Sequence, residues 1–239
     1  MARTAGSGGY AEYLVVDAAG VFPCPAGIDL VEAGGMPVVF LTAYHLLKTR
    51  GQMQAGDMVL IQAAASGVGT IATQLAKRWG AQVIATASTE EKLALARSLG
   101  ADHTINYLTH DFEQEVQRLT DGAGVQVILE CVGGEVLEKS LRCLAPYGRL
   151  VTYGNASSKA AYLPAAEIFP VNRSVVGFSI GRSPQGTLDH HAAMADILPL
   201  LEAKQLRLIV DHTLPMADVA KAHVHLANRG TRGKVILVP

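Results

Sequence analysis

The stretch MVLIQAAASGVG, residues 58–69, decides the fold. Its first five residues form a continuous apolar run behind the turn signal Ala55-Gly56-Asp57. Such a run reads as a strand buried on both faces. A helix is expected over 69–79, stopped by Gly80. The junction holds only small residues, Ala63-Ala64-Ala65-Ser66-Gly67, before Val68 and Gly69. Ala64, Ser66 and Gly69 occupy the three positions where the dinucleotide fingerprint carries glycine. Small side chains let backbone approach a pyrophosphate, and free N–H groups at a helix start attract its charge. The fingerprint needs a β-α-β unit of about 30 residues around it, and that context is present. A tight turn without a ligand is the alternative.

Working outward, the same alternation repeats. QVIATA (82–87) reads as a second strand, with Ser88 set three residues before Glu91 as a capping box for a helix over 90–99. A short strand over 103–105 and a helix over 111–120 follow. VQVILE (125–130) is a fourth strand, with a helix over 135–144. RLVTY (149–153) and SVVGFS (174–179) close the series. Short connections between alternating strands and helices imply an α/β class, a doubly wound parallel sheet of Rossmann type.

Ligands of such sheets sit over the carboxyl ends of the strands. An NAD site carries an acid about 20 residues past the fingerprint. Here the strand ends Thr86-Ala87-Ser88-Thr89. Ser88 can donate to a 2′-phosphate, and Lys92 follows one helical turn later, which suits NADPH. The alternative is a plain cap and a solvated charge. Val132, Gly133, Gly154 and Asn155 end two further strands and are expected beside the ribose and nicotinamide, unless they are ordinary turn residues.

The flanks differ. Residues 9–16 look strand-like, 30–50 helical with a break at Pro37, 192–203 and 216–228 helical, and KVILV (234–238) a strand. Lone terminal strands need a partner, so a second unit built from both termini is expected, giving 1–41, 42–180 and 181–239. The chain has 239 residues, 49% hydrophobic and 17% charged, with a net charge of −1. That composition forms a core, and the scattered basic residues give no nucleic-acid footprint. No uninterrupted apolar run reaches the ~18 residues of a membrane span. The first nine residues lack a signal-peptide core. Three unpaired cysteines fit a reducing, cytoplasmic setting.

Taken together, GGYAEY (8–13), LTAY (41–44), AAASGVG (63–69), LGAD (99–102), INY (105–107), YGN (153–155) and GKVIL (233–237) resemble the zinc-independent quinone oxidoreductase branch of the medium-chain dehydrogenase/reductase superfamily. The resemblance runs along the whole chain in the family's order. It implies a Rossmann domain with a GroES-like catalytic domain, incomplete here because little chain precedes GGYAEY. It also implies NADPH as cofactor, and a quinone or another small electrophile, an α,β-unsaturated carbonyl, as acceptor. By motif position it places Thr42 near the nicotinamide, and Ser66, Gly67 and Val68 on the pyrophosphate. Ser88, Lys92 and Tyr107 fall at the adenosine phosphate end, with Arg232 able to reach the 2′-phosphate. Val132 and Asn155 fall by the ribose and nicotinamide, and Phe178 beside the cofactor. It implies a homodimer through the edge strand from Ser174 to Ser179. Tyr44 is the one candidate proton donor, with interior packing as its other role.

Three rival readings stand beside this one. Ser66 in a strand-turn-helix elbow could be a hydrolase nucleophile, although branched Val68 suits that elbow poorly. The chain could bind NADPH without turnover. Asp189-His190-His191 could hold a metal, although neighbouring histidines at a helix start point apart; no metal site is expected.

Overall fold

A computed structural model describes residues 1–3, 8–183 and 187–239. Six strands form one parallel sheet: β1 (Met58–Ile61), β2 (Gln82–Ala87), β3 (His103–Asn106), β4 (Val125–Glu130), β5 (Leu144–Thr152) and β6 (Ser174–Gly177). Their spatial order is β3-β2-β1-β4-β5-β6. The order reverses direction between β1 and β4, the switch point where a doubly wound sheet opens a crevice.

Helices α2 (Gly67–Arg78), α3 (Glu90–Ser98), α4 (Phe112–Leu119) and α5 (Gly134–Arg142) connect the first five strands. β1 and β2 are apolar on both faces, because one core lies on each side of the sheet. Leu75, Val83 and Leu129 pack on one side with the terminal helices. Leu60, Ile84 and Ile128 pack on the other with α4 and α5.

The long helix over 30–50 is continuous. It runs as α1 (Leu30–Tyr44) and then as a π-helical turn His45–Arg50. Pro37 sits eight residues into it, deep in the core, and does not end it. Tertiary burial of Met36, Phe40 and Leu41 outweighs the lost hydrogen bond. By length and composition Leu30–Arg50 could cross a membrane, yet 61% of its apolar window is buried inside this fold. It is the central helix of a core, packed on α2 and on α6 (His190–Glu202).

The termini correct one expectation. β8 (Lys234–Val238) pairs in parallel with β7 (Val210–Pro215), a strand the sequence pattern did not reveal. Residues 9–16 form no strand. β7 alternates poorly because Asp211, His212 and Thr213 are polar in succession. α7 (Val219–Ala227) lies between the two strands in sequence. Ser88 is likewise not the cap of α3. Thr89 accepts the Lys92 N–H at 3.3 Å, one residue later than the capping-box spacing predicts.

Candidate functional site: the crevice at the switch point

The turn after β1 is built tightly. Ala63 holds a left-handed φ of 52°, and its carbonyl accepts the Ser66 N–H at 2.9 Å. The Ser66 hydroxyl then accepts the Gly69 N–H at 3.0 Å, capping α2. A helix leaves its first N–H groups without internal partners, and here they lie at the positive end of the α2 dipole. A Cβ at Gly69 would lie 2.5 Å from the Ala63 carbonyl oxygen and 2.8 Å from Ala64 backbone. Only glycine lets α2 approach β1 this closely.

The C-terminal segment is stitched to this turn. Ser66 and Gly233 form a parallel bridge, and the Gly233 N–H donates to Ala65 O at 2.7 Å. The Lys234 N–H donates to Ile209 O at 2.8 Å. The Lys234 stem consequently lies over Gly67, where a Cβ would sit 2.9 Å from its Cδ. Burial holds the Lys234 ammonium below the usual lysine range. Among the described residues, no carboxylate, carbonyl or hydroxyl partners that ammonium. A half-buried cation without a counter-ion is costly, and a phosphate against the turn below would compensate it. Sequence reading missed Lys234. Its signal was its place in GKVIL, which lies far from the fingerprint in sequence.

The residues singled out at the strand ends share this edge of the sheet. Ser66, Gly67 and Val68 follow β1, Ser88 follows β2, Tyr107 follows β3, Val132 follows β4, Asn155 follows β5 and Phe178 follows β6. Ser88 is half-buried, while Tyr107 and Asn155 are exposed. Lys92 on α3 donates through Nζ to the carbonyl of Arg229, and the Arg229 guanidinium reaches Ala156 O at 3.4 Å. Arg229 therefore reaches both the β2 side and the β5 side of the crevice, while Gly233 meets the turn after β1. Arg232 is held between Asp211, at 3.3 Å, and Glu91 on the first turn of α3. A phosphate beside Ser88 would meet Lys92 and Arg232, and would compete with Glu91 for the latter.

The β4 side is shaped by Glu130. This fully buried carboxylate accepts the Val132 N–H at 2.6 Å and the Gly133 N–H at 2.9 Å. Burial pushes its pKa up, against those two donors. The result is a fixed turn over 131–133, against which Asn155 packs at Gly133. Thr42 is buried on α1 one turn before His45, and the His45 ring lies 6.2 Å from that of Phe178.

Tyr44 faces elsewhere. Its hydroxyl donates to Asp196 Oδ2 at 2.6 Å, and its ring stands edge-on to Trp79. Desolvation, followed by that hydrogen bond, pushes its pKa up to about 12, a poor match for proton donation near neutrality. Ser66 Oγ serves the helix cap, and among the described residues no base hydrogen-bonds to it, an arrangement that does not activate a hydrolase nucleophile. Asp189 caps α6 by accepting the Ala192 N–H. His190 joins His45 at 3.0 Å, and His191 reaches Ala19 O. The three thus point apart. Among the described residues no cluster of three or more His, Cys, Asp or Glu could hold a metal ion.

Comparison with known proteins agrees with this architecture. Residues 67–200 match the family described as zinc-binding dehydrogenase, although the described donor residues do not fit zinc. The chain is 35% identical over 236 residues to a 2-haloacrylate reductase of Burkholderia sp, covering 97% of this chain and 71% of that one. It is 36% identical over 238 residues to a quinone oxidoreductase of Pseudomonas aeruginosa, covering 97% and 72%. The crystal structure of the quinone oxidoreductase from Thermus thermophilus, described with its NADPH complex, superposes with a TM-score of 0.87 at 36% identity. That match covers 98% of this chain and 75% of the other. The chain belongs to the medium-chain dehydrogenase/reductase superfamily, in its zinc-independent quinone oxidoreductase branch, and is an oxidoreductase by family.

Proposed function

We propose that this protein is an NADPH-dependent reductase of quinones or α,β-unsaturated carbonyls. The observation that carries the reading is the unpartnered Lys234 ammonium over the Gly67 turn. The crevice suits the cofactor in two further ways: N–H groups at the start of α2 await a pyrophosphate, and Ser88, Lys92 and Arg232 gather where a third phosphate would lie. When bound, NADPH supplies a hydride from its nicotinamide to the acceptor. The chain's own part is orientation. Ser66, Gly67, Val68 and Lys234 fix the phosphates. Val132 and Asn155, set by Glu130, fix the ribose side. Thr42 and Phe178 bound the nicotinamide end, and Tyr107 borders the adenosine.

A second reading has its own support. With its phenol committed to Asp196, Tyr44, the one candidate proton donor read from the sequence, is occupied. Binding without efficient turnover is the outcome if the solvent route to the acceptor is poor. Steady-state oxidation of NADPH with a 1,4-quinone separates the two, paired with fluorescence titration of both nicotinamide cofactors. Quinone-dependent oxidation, with NADPH preferred over NADH, is expected. Ser88→Asp should weaken NADPH at least ~10-fold, about 1.4 kcal/mol, through loss of a donor and gain of a like charge. A native preference for NADH would overturn the cofactor assignment, and tight NADPH binding with no quinone reduction would establish the second reading.

The proposal extends to assembly and setting. Among the described residues β6 pairs only with β5, which leaves its outer edge open, and an open edge invites strand addition. We assign to it a homodimer with a sheet continuous across two copies. Sedimentation at micromolar concentration should return twice 25.2 kDa; a monomer would remove the assignment. The three free thiols support a reducing, cytoplasmic location. A division near residues 41 and 180 is part of the same reading.

A further inference from the structure

We propose a second anion site, at the opposite end of α2 from the cofactor crevice, that takes a compact polyphosphate-type anion carrying three or more charges.

A cavity of about 390 Å³ opens where the ends of α2 and α3 meet the segment 204–207. Lys77, Arg78, Lys204 and Arg207 line it, and no aspartate or glutamate does. The chain as a whole has 20 basic and 21 acidic residues, so four cations on one cavity is a local excess. Lys77 is neutralised by Asp102 at 2.5 Å. Among the described residues the other three have no carboxylate partner.

Helix electrostatics accounts for part of this. Lys77 and Arg78 lie in the last turn of α2, where cations complement the dipole. Lys204 and Arg207 do not, because α6 ends at Glu202 and both belong to the following loop. That loop is held in place. The Gln74 side-chain amide donates to Arg207 O at 3.1 Å and accepts the Arg207 N–H at 3.1 Å. One helical turn on, Arg78 donates to the Gln205 side chain. Two rungs on one face of α2 thus fix a loop whose cations point into a shared cavity before any ligand arrives, which lowers the ordering cost of binding. The negative ends of α2 and α3 oppose an anion by about half a charge each, against three unneutralised cations. The net field stays positive.

The lining also selects the ligand class. It contains no aromatic side chain on which a base could stack, and Leu99 is its only aliphatic member. Recognition therefore reads charge. The site is distinct from the cofactor turn, since Gly67 and Lys77 lie ten residues apart along α2, about 15 Å at 1.5 Å per residue.

Titration calorimetry of the whole chain with tripolyphosphate at low ionic strength tests the site. One equivalent should bind with a sub-millimolar Kd that weakens with added salt. Saturating NADPH should leave that Kd within twofold. The variants K204Q and R207Q should each weaken it at least fivefold with unchanged melting temperature, because the clamps to α2 use Arg207 backbone and Gln205. Absence of binding at millimolar tripolyphosphate would overturn the proposal. So would a Kd insensitive to both substitutions, or competition by NADPH, which would place the anion in the crevice instead. None of these readouts depends on turnover.

Discussion

Replacing Lys234 by methionine should weaken NADPH binding by ~10–100-fold while leaving the cofactor-free protein at least as stable as before. The two halves of that result have one cause. A hydrogen bond from an ammonium to a phosphate contributes about 1.5–3 kcal/mol. Without the cofactor that ammonium is half-buried beside Gly67 and has no partner among the described residues, so its removal relieves a desolvation cost. Methionine keeps the stem's contact with the turn. A lysine serving only to pack would give the opposite pattern, with a falling melting temperature and little change in Kd. The pH dependence follows with a definite sign. Folding lowers this pKa, so between the lowered value and the ordinary 10.5 the unfolded chain holds more protons than the folded one. The cofactor-free protein therefore gains stability as pH rises through that window. NADPH affinity moves the other way, because the cation it needs is lost. Fluorescence titration and thermal melts across alkaline pH check both trends; parallel behaviour of K234M and wild type would sink them.

The second large effect is expected at Gly69. Valine there should cost ~3 kcal/mol or more and abolish measurable cofactor binding. Its Cβ would meet the Ala63 carbonyl oxygen at 2.5 Å and Ala64 backbone at 2.8 Å, none of which can move without shifting β1 or α2. For a chain of this size the melting temperature should fall by about 10 °C. The cost cannot be a matter of helix propensity. Gly69 lies inside α2, where replacing glycine by a better helix former favours the helix by a few tenths to about 1 kcal/mol. An unchanged melting temperature would mean that the turn is looser than described.

The sheet was legible because its strands carry period-free apolar runs, and its helices end at Gly80, Gly100 and Gly122. Both patterns are local. β4 matched its expected residues, and β5 and α5 moved by a few. β7 escaped because three polar residues stand in succession within it, where one edge of a two-stranded sheet meets solvent. The strand expected over 9–16 did not form, and Tyr10, Tyr13 and Val15 within that segment are largely exposed here. The strand-end residues could be named from the sequence because a doubly wound sheet sends every carboxyl terminus to one edge. Lys234, Arg229 and Glu130 could not, since each acts through a fold-level meeting. Lys234 crosses 167 positions to reach Gly67, and Glu130 turns back on its own strand end. Ser88 was placed correctly on the edge but given Thr89's capping role, a one-residue error of the kind that helix starts invite.

The bridge between Ser66 and Gly233 also orders events in time. The sheet can close once β6 has been made, but the floor of the nucleotide turn is finished only when Gly233 arrives beside Ser66. Until that segment docks, the turn lacks its floor. Cofactor capture becomes a late act of maturation, reserved for chains in which that segment has docked.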